Sequence, residues 1–198
     1  FQTPEAVIVY TDRGLNALSQ SFHRLYQRRL ARGYWRDRPR PVLINNWEAT
    51  YMDFTEEKIL RIAEKARELG VELFVLDDGW FGGRNTEHAG LGDWVPNRNK
   101  LPGGIRGLSE KIEGLGMKFG LWFEPEMVNR DSDLYREHPD WILRTPDRPS
   151  CHGRFQYVLD FSRKEVVDHV YRMMEKILSD ARISYIKWDM NRSITECY

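Results

Sequence analysis

The chain has 198 residues, enough for one ordinary domain but short of the roughly 250 of a complete eight-stranded α/β barrel. Apolar residues make up 41% and charged residues 30%, a balance that suits a packed core and excludes a disordered chain. Thirty basic residues against thirty acidic ones leave no net field to draw in nucleic acid or an anionic membrane, so neither partner is expected and neutral ligands such as sugars fit better.

Residues 1–40 read as a linker strand and helix. The apolar run Val7-Ile8-Val9-Tyr10 is the strand, and Phe22, Leu25, Tyr26 and Leu30 fall at helical spacing around the basic stretch from His23 to Arg32. Pro39 and Pro41 mark a boundary.

From Pro41 onward strand-like runs alternate with helical patterns, the mark of parallel βαβ units. The first strand is expected from Val42 to Trp47. Helix 55–69 follows, with Thr55 as N-cap, Glu56 and Glu57 in its first turn, Ile59, Ile62, Ala63, Ala66 and Leu69 on one face and Gly70 as terminator. A second strand, Glu72 to Asp77, leads through the Gly-, Asn- and Trp-rich loop 79–104 into a helix around Leu108–Leu115. A third strand, Lys118 to Phe123, is followed by a helical turn near Leu134–Ile142. Ser162-Arg163-Lys164-Glu165 predicts a capping box opening a helix with face Val166, Val170, Met173 and Ile177, and Ile183 to Asp189 is the fourth strand. Such repeats build a doubly wound sheet or half a barrel; no GxGxxG turn follows the first strand, and the barrel is preferred.

Chemistry in either architecture collects at the carboxyl ends of the strands. Those ends carry Asn46-Trp47-Glu48, Asp77-Asp78-Gly79-Trp80, Trp122-Phe123-Glu124-Pro125-Glu126 and Lys187-Trp188-Asp189-Met190-Asn191. One acid after a strand is more often a cap or turn residue than a catalyst. Four acid and indole pairs in succession weaken that reading. On the fourth strand Tyr185, Lys187 and Asp189 share a face, so the lysine would keep the aspartate ionised and nucleophilic, or form a purely structural ion pair. Seven Trp and nine Tyr serve either sugar stacking or packing. Cys151 and Cys197 lack the spacing of zinc or redox motifs. No apolar run approaches the ~20 residues of a membrane span and no signal-like N-terminus is visible, so a cytoplasmic location is expected.

The strings Phe1-Gln2-Thr3-Pro4-Glu5-Ala6, Pro41 to Thr50, Leu76-Asp77-Asp78-Gly79-Trp80-Phe81-Gly82, Gly120 to Met127 and Lys187 to Arg192 together resemble the melibiase-type α-galactosidases of glycoside hydrolase family 36 over essentially the whole chain. The resemblance implies the N-terminal half of a (β/α)8 TIM barrel, about four β/α units over residues 41–198, preceded by the 1–40 linker from a β-domain. It implies release of terminal α-linked galactose from melibiose- or raffinose-type oligosaccharides, with Asp189 as nucleophile of a covalent galactosyl intermediate. Asp77 and Asp78 would grip the O4 and O6 hydroxyls, which requires the strand to bend near Gly79. Lys187 and Arg154 would donate to hydroxyls, Asn191 would sit near the 2-hydroxyl, and Trp47 and Trp122 would wall the subsite. Glu124 and Glu126 read as scaffold carboxylates. No metal or organic cofactor is expected, and a homo-oligomer is expected of the full-length enzyme.

A retaining glycosidase also needs an acid/base carboxyl about 5 to 5.5 Å from its nucleophile, and the resemblance puts it beyond Tyr198. The alternatives are therefore a catalytically incomplete galactoside-binding or structural fragment, and a barrel enzyme holding Mg²⁺ on Asp77, Glu124 and Asp189. Lys187 argues against the metal.

Overall fold

The computed structural model describes residues 3–195, and the chain divides into two compact units, Phe1–Pro41 and Val42–Tyr198. In the first unit α1 (Gly14–Leu25) runs into a π-helical turn at Tyr26–Leu30, and a 3-10 turn follows at Gly33–Trp35. The strand expected at Val7–Tyr10 does not form: no sheet takes it up, and Ile8 is 95% exposed. An apolar run without a strand beside it leaves its amides to water. The helix also begins well ahead of the basic stretch, because Leu18 extends the stripe of Phe22 and Leu25 backwards at helical spacing.

The second unit runs β1 (Leu43–Asn45), α2 (Trp47–Thr50), α3 (Glu56–Glu68), β2 (Leu73–Leu76), α4 (Gly104–Gly114), β3 (Lys118–Phe123), β4 (Met127–Asn129), α5 (Asp133–Glu137), β5 (Gln156–Val158), α6 (Lys164–Asp180) and β6 (Tyr185–Trp188). Among the described residues β1, β2, β3 and β6 form one parallel sheet in that order. The order advances in one direction, without the reversal of a doubly wound sheet. β4 and β5 pair as an antiparallel ribbon that the sequence reading did not foresee.

The alternation of strand side chains sorts the sheet into two faces. Phe74, Leu76, Phe119, Leu121 and Phe123 are fully buried in one core cluster with Ile59 and Ala63 of α3, Ile105, Leu108 and Ile112 of α4, and Val166, Val170 and Ile177 of α6. Each large apolar side chain so buried contributes about 1.5–3 kcal/mol relative to exposure, so helix-on-sheet packing, not the short strands themselves, holds the unit. The opposite face carries Asn45, Val75, Gly120 and Tyr185 in register, with Trp122 beside Lys187 one step further on. That face delivers polar groups to the strand ends.

Thr55 caps α3 as expected, accepting from Lys58 N–H at 3.3 Å. The capping box does not form. Arg163 is the N-cap of α6 and makes no side-chain cap bond, because Ser162 Oγ donates to Asp160 Oδ1 at 2.6 Å and Glu165 pairs with Arg163. Met174 rather than Met173 completes the buried face of α6, with Met173 half-buried beside it. The helical turn expected over 134–142 is confined to α5, which ends before His138-Pro139, since the residue before a proline disfavours helix. Trp47, expected at the end of a strand, opens α2 instead, and its N–H takes Asn45 Oδ1 at 2.8 Å.

The segment between β2 and α4 is core, not a surface loop. Trp80, Phe81, Leu91, Trp94 and Leu101 are buried, Phe81 and Trp94 meet at 4.5 Å between centroids, and Trp80 and Phe123 meet at 5.5 Å. Trp80 Nε1 donates to the carbonyl of Trp122 at 3.0 Å, fastening the segment to the end of β3.

Candidate active site

The carboxyl ends of the sheet strands open into a cleft of about 470 Å³. All eight residues singled out from the sequence line it: Trp47, Asp77, Asp78, Trp122, Arg154, Lys187, Asp189 and Asn191.

β2 stops at Leu76, and the chain leaves the strand as Asp77 N–H donates to Asn46 Oδ1 and Asp78 N–H to Asp77 Oδ1, both at 2.8 Å. Gly79 then takes φ +96°, where a Cβ would lie 3.1 Å from Met52. This bend lets adjacent acids reach one cleft. Asp77 Oδ2 accepts from Lys187 Nζ at 2.8 Å and from Asn45 Nδ2. Asp78 is gripped by the Arg84 fork, with Nη2 to Oδ2 at 2.8 Å and Nε to Oδ1 at 3.0 Å. Arg84 is itself 2% exposed, and its Nη1 donates to the carbonyls of Thr86, Glu87 and Ala89 and to Asn129 Oδ1.

Asp189 follows β6. Its Oδ2 accepts from Trp122 Nε1 at 2.9 Å and Asn191 Nδ2 at 3.1 Å, with Lys187 Nζ 3.9 Å away, and its Oδ1 accepts from Met190 N–H at 3.1 Å. Burial opposes the charge on Asp189, but these donors and the lysine outweigh it and hold the carboxyl below its ordinary value. Glu124 goes the other way. Fully buried, it is pushed above its ordinary value by desolvation, only partly countered by Asn191, whose N–H donates to Oε1 at 2.6 Å. Gln156 Nε2 reaches its other oxygen at 3.2 Å. Two carboxyls facing one cleft are thus driven apart in acidity. Glu126 accepts from Trp188 Nε1 at 2.9 Å and braces the last strand.

Trp122 is 1% exposed and meets the cleft mainly as a donor to Asp189, whereas Trp47 is half-buried and stands edge-on to Tyr51 at 5.2 Å. Arg154 approaches Glu87 at 3.7 Å on the rim. The sequence reading missed Arg84, Asn45, Gln156 and Lys100. Lys100 Nζ donates to the carbonyls of Met52, Gly79 and Arg84, and burial lowers its pKa against the pull of Asp78 and Asp53. For Arg84 and Lys100 the available signal was the length of the 79–104 segment, since a loop that long in a compact fold is usually functional or else a linker. Cys197 lies outside the described residues, and Cys151 is exposed. Among the described residues no His, Cys, Asp and Glu cluster has a metal-holding arrangement, and no helix is long and apolar enough to cross a membrane.

Carboxyl acceptors at Asp77, Asp78 and Asp189 and donors at Lys187, Arg154 and Asn191, converging in a space of this size, suit a small ligand rich in hydroxyls. The chain belongs to the melibiase family, whose model matches residues 1–198. It is 59% identical over 196 residues to the α-galactosidase AgaA of Geobacillus stearothermophilus, covering 99% of this chain and 27% of that protein. To the α-galactosidase Mel36A of Lactobacillus acidophilus it is 52% identical over 198 residues, covering all of this chain and 27% of the relative. The crystal structure of an AgaA variant of glycoside hydrolase family 36 in complex with raffinose superposes with a TM-score of 0.91 at 58% identity, over 95% of this chain and 26% of that one. The chain therefore spans about a quarter of the length of these relatives.

Proposed function

We propose that the chain is the front half of the catalytic (β/α)8 barrel of a retaining α-galactosidase that releases terminal α-linked galactose from raffinose- and melibiose-type oligosaccharides. The one-directional parallel sheet, the acids at its strand ends and the relatives named α-galactosidase support it.

The observation that carries the reading is the setting of Asp189: a carboxylate kept ionised by Trp122, Asn191 and Lys187 at the floor of a sugar-sized cleft. One of its oxygens attacks the anomeric carbon as the glycosidic C–O bond breaks, giving a galactosyl ester. The departing oxygen takes a proton from an acid carboxyl, which the family resemblance assigns to a later strand. That carboxylate then deprotonates the water that cleaves the ester, and configuration is retained. Asp77 and Asp78 accept from sugar hydroxyls, and their pairing with Lys187 and Arg84 holds them in place, so an epimer that misdirects a hydroxyl leaves a buried acceptor unsatisfied. Lys187 stands within 2.8 Å of Asp77 and 3.9 Å of Asp189, where a dication would have to sit. Turnover should therefore persist in a chelator.

The reading is tested with an aryl α-galactoside and a protein that carries this chain at the length of its relatives. Hydrolysis lost in Asp189→Ala supports it; hydrolysis undiminished in that variant, or of an aryl α-glucoside instead, overturns it.

A further inference from the structure

Lys100 is half-buried, lies outside the lining of the cleft and serves none of the roles above. Its Nζ nevertheless donates to three carbonyls, those of Met52 at 2.7 Å, Gly79 at 2.9 Å and Arg84 at 3.2 Å. Each belongs to a working part of the site. Gly79 is the bend that admits Asp77 and Asp78, Arg84 grips Asp78, and Met52 lies 3.1 Å from where a Cβ on Gly79 would stand. Met52 in turn follows Tyr51, whose φ of 46° a bulky residue keeps only where its surroundings impose it. Tyr51, Met52 and Asp53 all line the cleft. One cation thus ties the turn after α2 to two points of the segment after β2.

The cation is itself fixed. Lys100 N–H donates to Asn97 Oδ1 at 3.3 Å, and its carbonyl accepts from Glu56 N–H at 2.8 Å, where α3 begins. Nζ stands 5.0 Å from the centre of the Phe54 ring. Burial, the largest influence, and the neighbouring Arg84 push its proton off, while Asp78 and Asp53 hold it on, and its pKa lies below the ordinary lysine value. An ammonium has three N–H donors, and here each has a carbonyl. The neutral amine has two donors and a lone pair that repels a carbonyl, so loss of the proton releases one of the three.

We propose that Lys100 is a positioning residue for Asp77 and Asp78: its three bonds hold the Gly79 bend and the Arg84 fork so that these acids meet the substrate, and galactose binds well only while the ammonium is charged. The inference rests on the α-galactosidase reading. A lysine that only braced the fold would leave galactose affinity independent of its proton.

The test is titration calorimetry of galactose, whose binding needs no proton transfer to a leaving group, with a protein carrying this chain at the length of its relatives. The range is about pH 7 to 10, below an ordinary lysine. Wild-type affinity should weaken about five- to tenfold as pH rises, the size expected of one lost hydrogen bond. Lys100→Met keeps the stem and removes the head, and should bind weakly across the range with no further weakening. Lys100→Arg stays charged throughout and should bind at an intermediate strength, also without pH dependence. Weakening that persists in Lys100→Arg belongs to another group and overturns the proposal. Wild-type affinity that stays level overturns it as well, and that arm stands even where Lys100→Met fails to fold. Folded Lys100→Met that binds galactose as tightly as the wild type overturns it too. Wild-type protein that neither binds galactose nor cleaves an aryl α-galactoside overturns the α-galactosidase reading itself, and the proposal with it.

Discussion

The indole N–H of Trp122 donates to Oδ2 of Asp189 at 2.9 Å, joining the end of β3 to the residue just after β6. Burial resists the charge on Asp189, and this bond leads the interactions that overcome it, followed by Asn191, Lys187 and Met190 N–H. In the nucleophile's role proposed for it Asp189 must be ionised, so activity is lost only as pH falls through a pKa lying below the ordinary carboxylate value. The acid limb of kcat/KM should therefore lie below that value in the wild type and move upward in Trp122→Phe. On the plateau above that limb kcat should change little, because a bond to Asp189 that is no stronger in the transition state than in the ground state does not lower the barrier. A pH profile whose acid limb stays put would show that the indole does not hold the charge.

Arg84 and Asp78 form a pair buried on both sides, at 2% and 8% side-chain exposure. Removing one partner leaves an uncompensated charge, so Arg84→Met should cost about 3–5 kcal/mol in denaturant unfolding. Arg84→Lys should recover only part of this, because an ammonium cannot span Asp78 and the carbonyls of the loop together. A loss under about 1 kcal/mol in Arg84→Met would mean that Asp78 is held by other means.

Glu124 gives a pH signature of the opposite sign from Asp189. Its folded pKa is raised by burial, so the folded state holds the proton more tightly than the unfolded one. Stability from this group is present below the unfolded pKa and is lost as pH rises through the folded pKa. Glu124→Gln should abolish that part of the pH dependence, so the difference in melting temperature between variant and wild type should shift in favour of the variant as pH rises from 4 to 7 (roughly the window above an ordinary glutamate). A difference that is flat over this range would contradict the assignment.

Gly79 allows Asp77 and Asp78 into one cleft at φ +96°, with Met52 closing over it. Gly79→Ala should cost about 1–3 kcal/mol and raise KM more than it lowers kcat, because it shifts the two acids proposed to hold the substrate and leaves Asp189 in place. Equal effects on both constants would place the damage elsewhere.

What could be read from the sequence follows from what local pattern encodes. The continuous apolar runs of β2 and β3 and the caps and stripe of α3 are local signals, and they gave those elements almost to the residue. The recurring acids with tryptophan at strand ends gave the cleft, since topology alone brings strand ends together. Ser162 looked like a cap because its spacing to Glu165 is right, yet the local competition went to Asp160 and Arg163. Val7–Tyr10 had strand composition but no partner, and pairing is a tertiary property. Arg84, Lys100 and Asn129 have no periodicity at all: Lys100 and Asn129 are defined by carbonyls of distant segments that they satisfy, and Arg84 by Asp78, the carbonyls of its own loop and the distant side chain of Asn129.

The most direct test of the account is to treat the protein carrying this chain with a ring-fluorinated α-galactosyl fluoride, which forms the glycosyl ester faster than water removes it, and then to map the label by peptide mass spectrometry. The account predicts one galactosyl adduct, on the peptide containing Asp189, absent in Asp189→Ala. A label on Glu124 or any other carboxylate, or turnover of an ordinary substrate at the wild-type rate by Asp189→Ala, would contradict it.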